Sequence, residues 1–106
     1  MKLVETEHEL QNKIISYLQY KHYKVLRMNS GAIRSLGSNG KTFMTRLQEP
    51  GTPDLLALKD GKAIFFEIKT PKNHPTTLQK MKMDELERYG CHCFVIHSLE
   101  EMQAII

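Results

Sequence analysis

Two apolar runs, DLLALK (residues 54–59) and KAIFFEIK (residues 62–69), flank an Asp60-Gly61 pair, and no other feature of the chain limits its fold so tightly. Asp-Gly readily supplies the two left-handed backbone positions of a two-residue hairpin loop, and the loop length sets the register of both arms. Lys59 then pairs with Lys62, Leu58 with Ala63, Leu56 with Phe65 and Asp54 with Glu67. Directly opposed residues of an antiparallel pair share a face, with Cβ atoms about 4.5–5.5 Å apart. Lys69 lies two residues beyond Glu67 and faces the same side. An otherwise apolar hairpin is therefore expected to end in two opposed carboxylates with a lysine beside them.

That arrangement is unfavourable by itself, because like charges opposite each other destabilise a strand pair. A divalent cation between the carboxylates would remove the conflict, and hard oxygen ligands suit Mg²⁺ or Mn²⁺. The alternative is purely structural: Asp54 caps a turn and Glu67 forms an ion pair with Lys69. It leaves unexplained why three charges share one side of the hairpin.

The surrounding chain supplies the layers that such a hairpin needs. Leu10, Ile14, Ile15 and Leu18 form one stripe of a helix that a Thr6/Glu9 capping box starts at Glu7. YKVLRM (residues 23–28) reads as a strand, and residues 29–53 read as irregular. Within them an Asn39-Gly40 turn with KTFMTRL as its second arm is a weak hairpin, since Gly37 and Ser38 interrupt the first arm. After Pro71 and Pro75 a helix is expected to run to about Tyr89, where Gly90 stops it. HCFVIH (residues 92–97) is a further strand, and a Ser98/Glu101 capping box opens a short terminal helix ending at Ile105-Ile106. A helix between the strands at 62–69 and 92–97 implies a parallel crossover, hence an α/β fold with a mixed sheet flanked by helices. With 106 residues the chain accommodates one domain, spanning 1–106.

Pro53-Asp54 followed by Glu67-Ile68-Lys69 across a hairpin resembles the PD-(D/E)XK nuclease superfamily. The wider runs GTPDLLAL, FFEIKTP and LQKMKMDEL are similar to the VRR-NUC family in particular, over residues 5–98. The resemblance implies a restriction-endonuclease-like core in α-β-β-β-α-β order. It also implies that Asp54, Glu67 and the Ile68 backbone carbonyl ligate Mg²⁺ or Mn²⁺, while Lys69 orients the attacking water. Gln79 matches the family's supporting helix glutamine; its stripe with Met83 and Leu86 turns it inward, although a glutamine there can equally close a helix N-terminus. The family's first-helix glutamate has Glu5, Glu7 and Glu9 as candidates. Glu9 is occupied by the capping box, and the spacing of Glu7 to Leu10-Gln11 favours Glu7, as a catalytic group and a further metal ligand.

A formal charge of +3 and a pI near 8.9 suit a polyanionic partner without establishing one. Arg27, Arg34, Lys41 and Arg46 gather around the irregular segment and Lys72, Lys80 and Lys82 follow the site, which favours contacts to a DNA backbone over reading of bases. His74 reads as an exposed loop residue, and Cys91 and Cys93 as packed or free thiols rather than a zinc site. No apolar run approaches the ~20 residues of a membrane span, and MKLVETEHEL lacks an apolar signal core. Stand-alone members of the family point to a structure-selective endonuclease acting on branched DNA, a Holliday-junction resolvase working as a homodimer in the cytoplasm of a bacterial or phage-infected cell. A flap or nicking nuclease, and an inactive DNA-binding module of the same fold, are the alternatives.

Overall fold

The computed structural model of the chain describes residues 4–28, 32–36, 42–46 and 49–106, with 32–36 and 42–46 as backbone. Nine elements follow in order among them: α1 (Glu7–Tyr20), β1 (Lys24–Arg27), β2 (Ala32–Leu36), β3 (Thr42–Arg46), β4 (Leu55–Lys59), β5 (Lys62–Ile68), α2 (Thr77–Arg88), β6 (His92–Ile96) and α3 (Leu99–Ile105). The hairpin of β4 and β5 has the expected register, Lys59 with Lys62 through Leu55 with Phe66. Asp60 and Gly61 both take positive φ, 51° and 77°, as a primed turn demands.

The main sheet runs β1-β4-β5-β6, with β1 and β5 antiparallel to β4 and β6 parallel to β5 through the α2 crossover. β5 is covered on both faces, and Phe65, Phe66, Glu67 and Ile68 are all buried. On one face Leu10, Ile14 and Leu18 of α1 pack with Leu55, Ala57, Phe66, Ile68, Ile96 and Met102. The other face is that of α2: Cys93 pairs in register with Phe65, and its thiol reaches the Met83 carbonyl at 3.6 Å. Glu67 shares this second face with Phe65, two residues away on the strand.

Three sequence expectations are corrected. The region from 29 to 53 is not wholly irregular, because β2 and β3 form an antiparallel two-stranded sheet of their own. Leu36 pairs with Thr42, whereas a two-residue Asn39-Gly40 loop would pair Leu36 with Phe43, so the strands sit one residue away from that register. Asn39, Gly40 and Lys41 themselves lie outside the described residues. At α3 the Ser98 hydroxyl accepts from the Glu101 N–H as expected, but the Glu101 carboxylate accepts from the His97 N–H rather than closing a box on Ser98. The capping box of Thr6 and Glu9 at α1 is complete in both directions.

Candidate functional site

The β4–β5 ladder ends at Leu55 and Phe66, and one further step of its register sets Asp54 opposite Glu67. There the chain departs from plain sheet. The Asp54 carboxylate accepts the Ile68 N–H at 2.8 Å, taking the place of a backbone partner at the strand end. The Asp54 carbonyl accepts from Met28, which ties the residue to the end of β1. Lys69 is pinned in turn by its N–H to the Ile96 carbonyl at 3.0 Å.

Glu67 is the most constrained group. It is 1% exposed, and its Oε2 is buried without a hydrogen-bond partner. The Lys69 ammonium lies 3.9 Å from Oε1, at the outer limit of an ion pair. Burial first, and the Asp54 charge second, push the Glu67 carboxyl up to about 8, against the opposing pull of Lys69. The start of α1 reaches the same end of the sheet: burial and the Asp54 charge raise the Glu7 carboxyl as well, and Lys69 again opposes. Asp54, Glu67, Lys69 and Glu7 thus share one electrostatic environment. The three carboxylates do not close into one cage, since among the described residues no three His, Cys, Asp or Glu side chains group around a common point. Two opposed carboxylates beside a strand-end peptide could hold a hard divalent cation with a carbonyl as the further ligand.

The approach to Asp54 is built by packing. Thr52 and Pro53 are buried, and the Thr52 hydroxyl donates to the Glu49 carbonyl at 2.7 Å. Gly51 has φ +85°, and a Cβ there would meet the Leu78 carbonyl oxygen at 2.9 Å. The turn before Asp54 therefore lies directly against the first turn of α2.

Gln79 sits in that first turn, half-buried, and its Oε1 accepts the Thr76 N–H at 2.9 Å while its own N–H goes to the Thr76 hydroxyl at 3.1 Å. Its carbonyl oxygen is thus engaged in the capping box. Arg27 donates from its guanidinium to Gln11 and Asn12 of α1. Arg34 and Arg46 lie on β2 and β3, paired as Arg34 with Met44 and Ala32 with Arg46. Lys72 and His74 are exposed in the loop after Lys69. Lys82 is engaged by Glu49 and Glu85. Cys91 and Cys93 are free thiols, and burial raises the Cys93 thiol to about 11. Sequence reasoning missed the contact of Gly51 with α2, for which the GTPD run was a signal, and it missed His97, which carried none.

No family model matches the chain, and no curated protein does. A solved structure described as a VRR_NUC domain is similar in fold, with a TM-score of 0.66 and 21% identity over 93% of this chain and 91% of that one. Among the described residues no helix is long and apolar enough to cross a membrane.

Proposed function

We propose that this chain, which has the fold of a VRR_NUC domain, is a metal-dependent DNA endonuclease working through Asp54, Glu67 and Lys69. Glu67 carries the reading. A carboxylate 1% exposed, with one oxygen unpartnered and a second carboxylate beside it, has no structural benefit on a strand of phenylalanines and isoleucines. Its donor set, two carboxylates with the Ile68 carbonyl at hand, fits Mg²⁺ or Mn²⁺. Such an ion lowers the pKa of coordinated water and withdraws charge from a phosphate.

The protein's own groups do the rest. Asp54, held by the Ile68 N–H, and Glu67, held by burial, fix the position of the scissile phosphate's counter-charge. Lys69 donates to the attacking water and offsets charge on the pentavalent phosphorus. Glu7 biases the same pocket from α1, and Gln79 supports it by holding the start of α2 against the Gly51 turn. Arg27, Arg34, Lys41, Arg46 and Lys72 are the proposed contacts to DNA phosphates.

The substrate reading is a branched DNA cut by a symmetric homodimer, because one site per chain and a two-fold junction match in symmetry. Two surfaces are candidates for the dimer, the region 29–50 and the apolar C-terminal helix α3, but α3 already covers its own core: Met102 is fully buried and Ile106 packs against the core, leaving Ile105 as the exposed large apolar residue. The region 29–50 is the remaining choice. Labelled four-way junction, flap and duplex DNA, incubated with the protein and Mg²⁺ or Mn²⁺, test the assignment together with light scattering for mass. Paired cuts across the junction by a dimer are expected. A monomer that only nicks supports the flap reading, and binding without any cleavage supports an inactive module.

A further inference from the structure

His97 follows β6 at the end of the sheet that carries Lys69. Its Nδ1 lies 3.3 Å from Glu101 Oε1, and its Nε2 lies 3.2 Å from the Asn73 carbonyl oxygen. Both ring nitrogens thus face acceptors. A neutral imidazole carries one N–H and can satisfy one of them; only the imidazolium donates to both. The groups that face the ring are Glu101 from α3 and His74 from the loop, whose ring stands edge-on with centroids 6.0 Å apart.

Asn73 belongs to a turn with internal bonds. Its N–H donates to the Thr70 carbonyl at 2.9 Å and its side-chain amide to the Thr70 hydroxyl at 2.6 Å. Pro71 and Pro75 fix φ at either end of the turn. It starts directly after Lys69 and presents Lys72 and His74 to solvent. Beyond Lys69, the His97 ring ties it to the body of the domain.

We infer that His97 is a positioning residue: as an imidazolium it holds the Thr70–His74 turn to α3 and β6, so that Lys72 and His74 stand ready for nucleic-acid phosphates beside Lys69. The tautomer with its single proton on Nδ1 keeps the Glu101 bond and gives up the one to the Asn73 carbonyl, and the turn is then free. The tie itself follows from the hydrogen bonds, while its consequence for DNA rests on the nuclease reading.

Hydrogen exchange at the Asn73 amide of the free protein, referred to its intrinsic rate, tests the tie as ¹⁵N shifts of the His97 ring report its protons. Protection should fall about fivefold as the ring passes from two protons to one, the usual size of one net hydrogen bond. His97→Gln keeps a donor for the Asn73 carbonyl and cannot titrate, so its protection should be level with pH. His97→Phe keeps the contact with His74 and donates nothing, so protection should be low throughout. On labelled four-way-junction DNA, His97→Phe should raise KM about fivefold at unchanged kcat, with KM restored in His97→Gln. Level protection in the wild-type protein across the ring's titration overturns the inference, and so does an equal KM in the two variants. If His97→Phe does not fold, the wild-type titration and His97→Gln decide. Absence of DNA binding in every protein would count against the nuclease reading, and the exchange data would still decide the tie.

Discussion

Replacing Glu67 by Gln should make the metal-free protein more stable above neutral pH and leave it nearly unchanged in acid. The side chain is 1% exposed and its carboxyl is raised from 4.5 to about 8, so the folded state holds a proton that the unfolded chain releases. Below pH 4.5 both states are protonated and the group has no effect on the balance. Between 4.5 and about 8 stability falls as pH rises, because folding there requires proton uptake. The slope in that window is about 1.4 kcal/mol per pH unit, which accumulates to on the order of 3–5 kcal/mol and levels off above the folded pKa. Against a domain stability of about 5–15 kcal/mol this is a large share. Gln fills the same space without ionising and abolishes the slope. Urea unfolding in EDTA from pH 3.5 to 9 should therefore give two curves that meet at the acid end and separate by at least about 2 kcal/mol at pH 8.5. Parallel curves, or a variant no more stable than the wild type at pH 8.5, would refute the view that an ionised Glu67 burdens the fold.

Asp54→Ala leaves the Ile68 N–H without its acceptor and should cost about 1–3 kcal/mol in urea unfolding, whereas Asp54→Asn keeps an acceptor and should cost less; neither should cleave DNA in a labelled-oligonucleotide assay. Cleavage should require Mg²⁺ or Mn²⁺, Ca²⁺ should support binding with little cutting, and full activity in excess EDTA would exclude the metal. Gly51→Ala forces a left-handed residue and a Cβ 2.9 Å from the Leu78 oxygen, so it should destabilise by about 1–3 kcal/mol and shift the amide spectrum of the first turn of α2.

Much of the candidate site's geometry was legible because it is written in local arithmetic. The Asp60-Gly61 loop admits one register, and that register alone brings Asp54 to Glu67 across thirteen residues of chain. Thr6 and Glu9 likewise declare the start of α1 through the chemistry of two side chains and two amides. The illegible parts depend on partners distant in sequence. Gly51 fits against Leu78 only after the crossover has folded back, and His97 meets Asn73 across the same closure. Glu101 shows the limit of a motif: its spacing from Ser98 suits a box, but the strand end offers the His97 N–H and the carboxylate goes there. The β2–β3 pairing was obscured by glycine and serine in its connection, where propensity argues against strand.

The β4–β5 hairpin and the parallel β5–β6 seam have different histories during folding. A two-residue turn lets β4 and β5 meet early, with Asp54 and Glu67 still hydrated and their repulsion screened by water. The seam to β6 must wait for α2 to form and the chain to close a long loop, and the second face of β5 is covered only then. Water leaves Glu67 at that late step, so the chain nucleates with a hydrated carboxylate and must protonate or pair it on closure. Alkaline pH should accordingly leave hairpin formation alone and weigh on the docking of the crossover, and an ion captured by the open hairpin would ease the last stage of folding rather than the first.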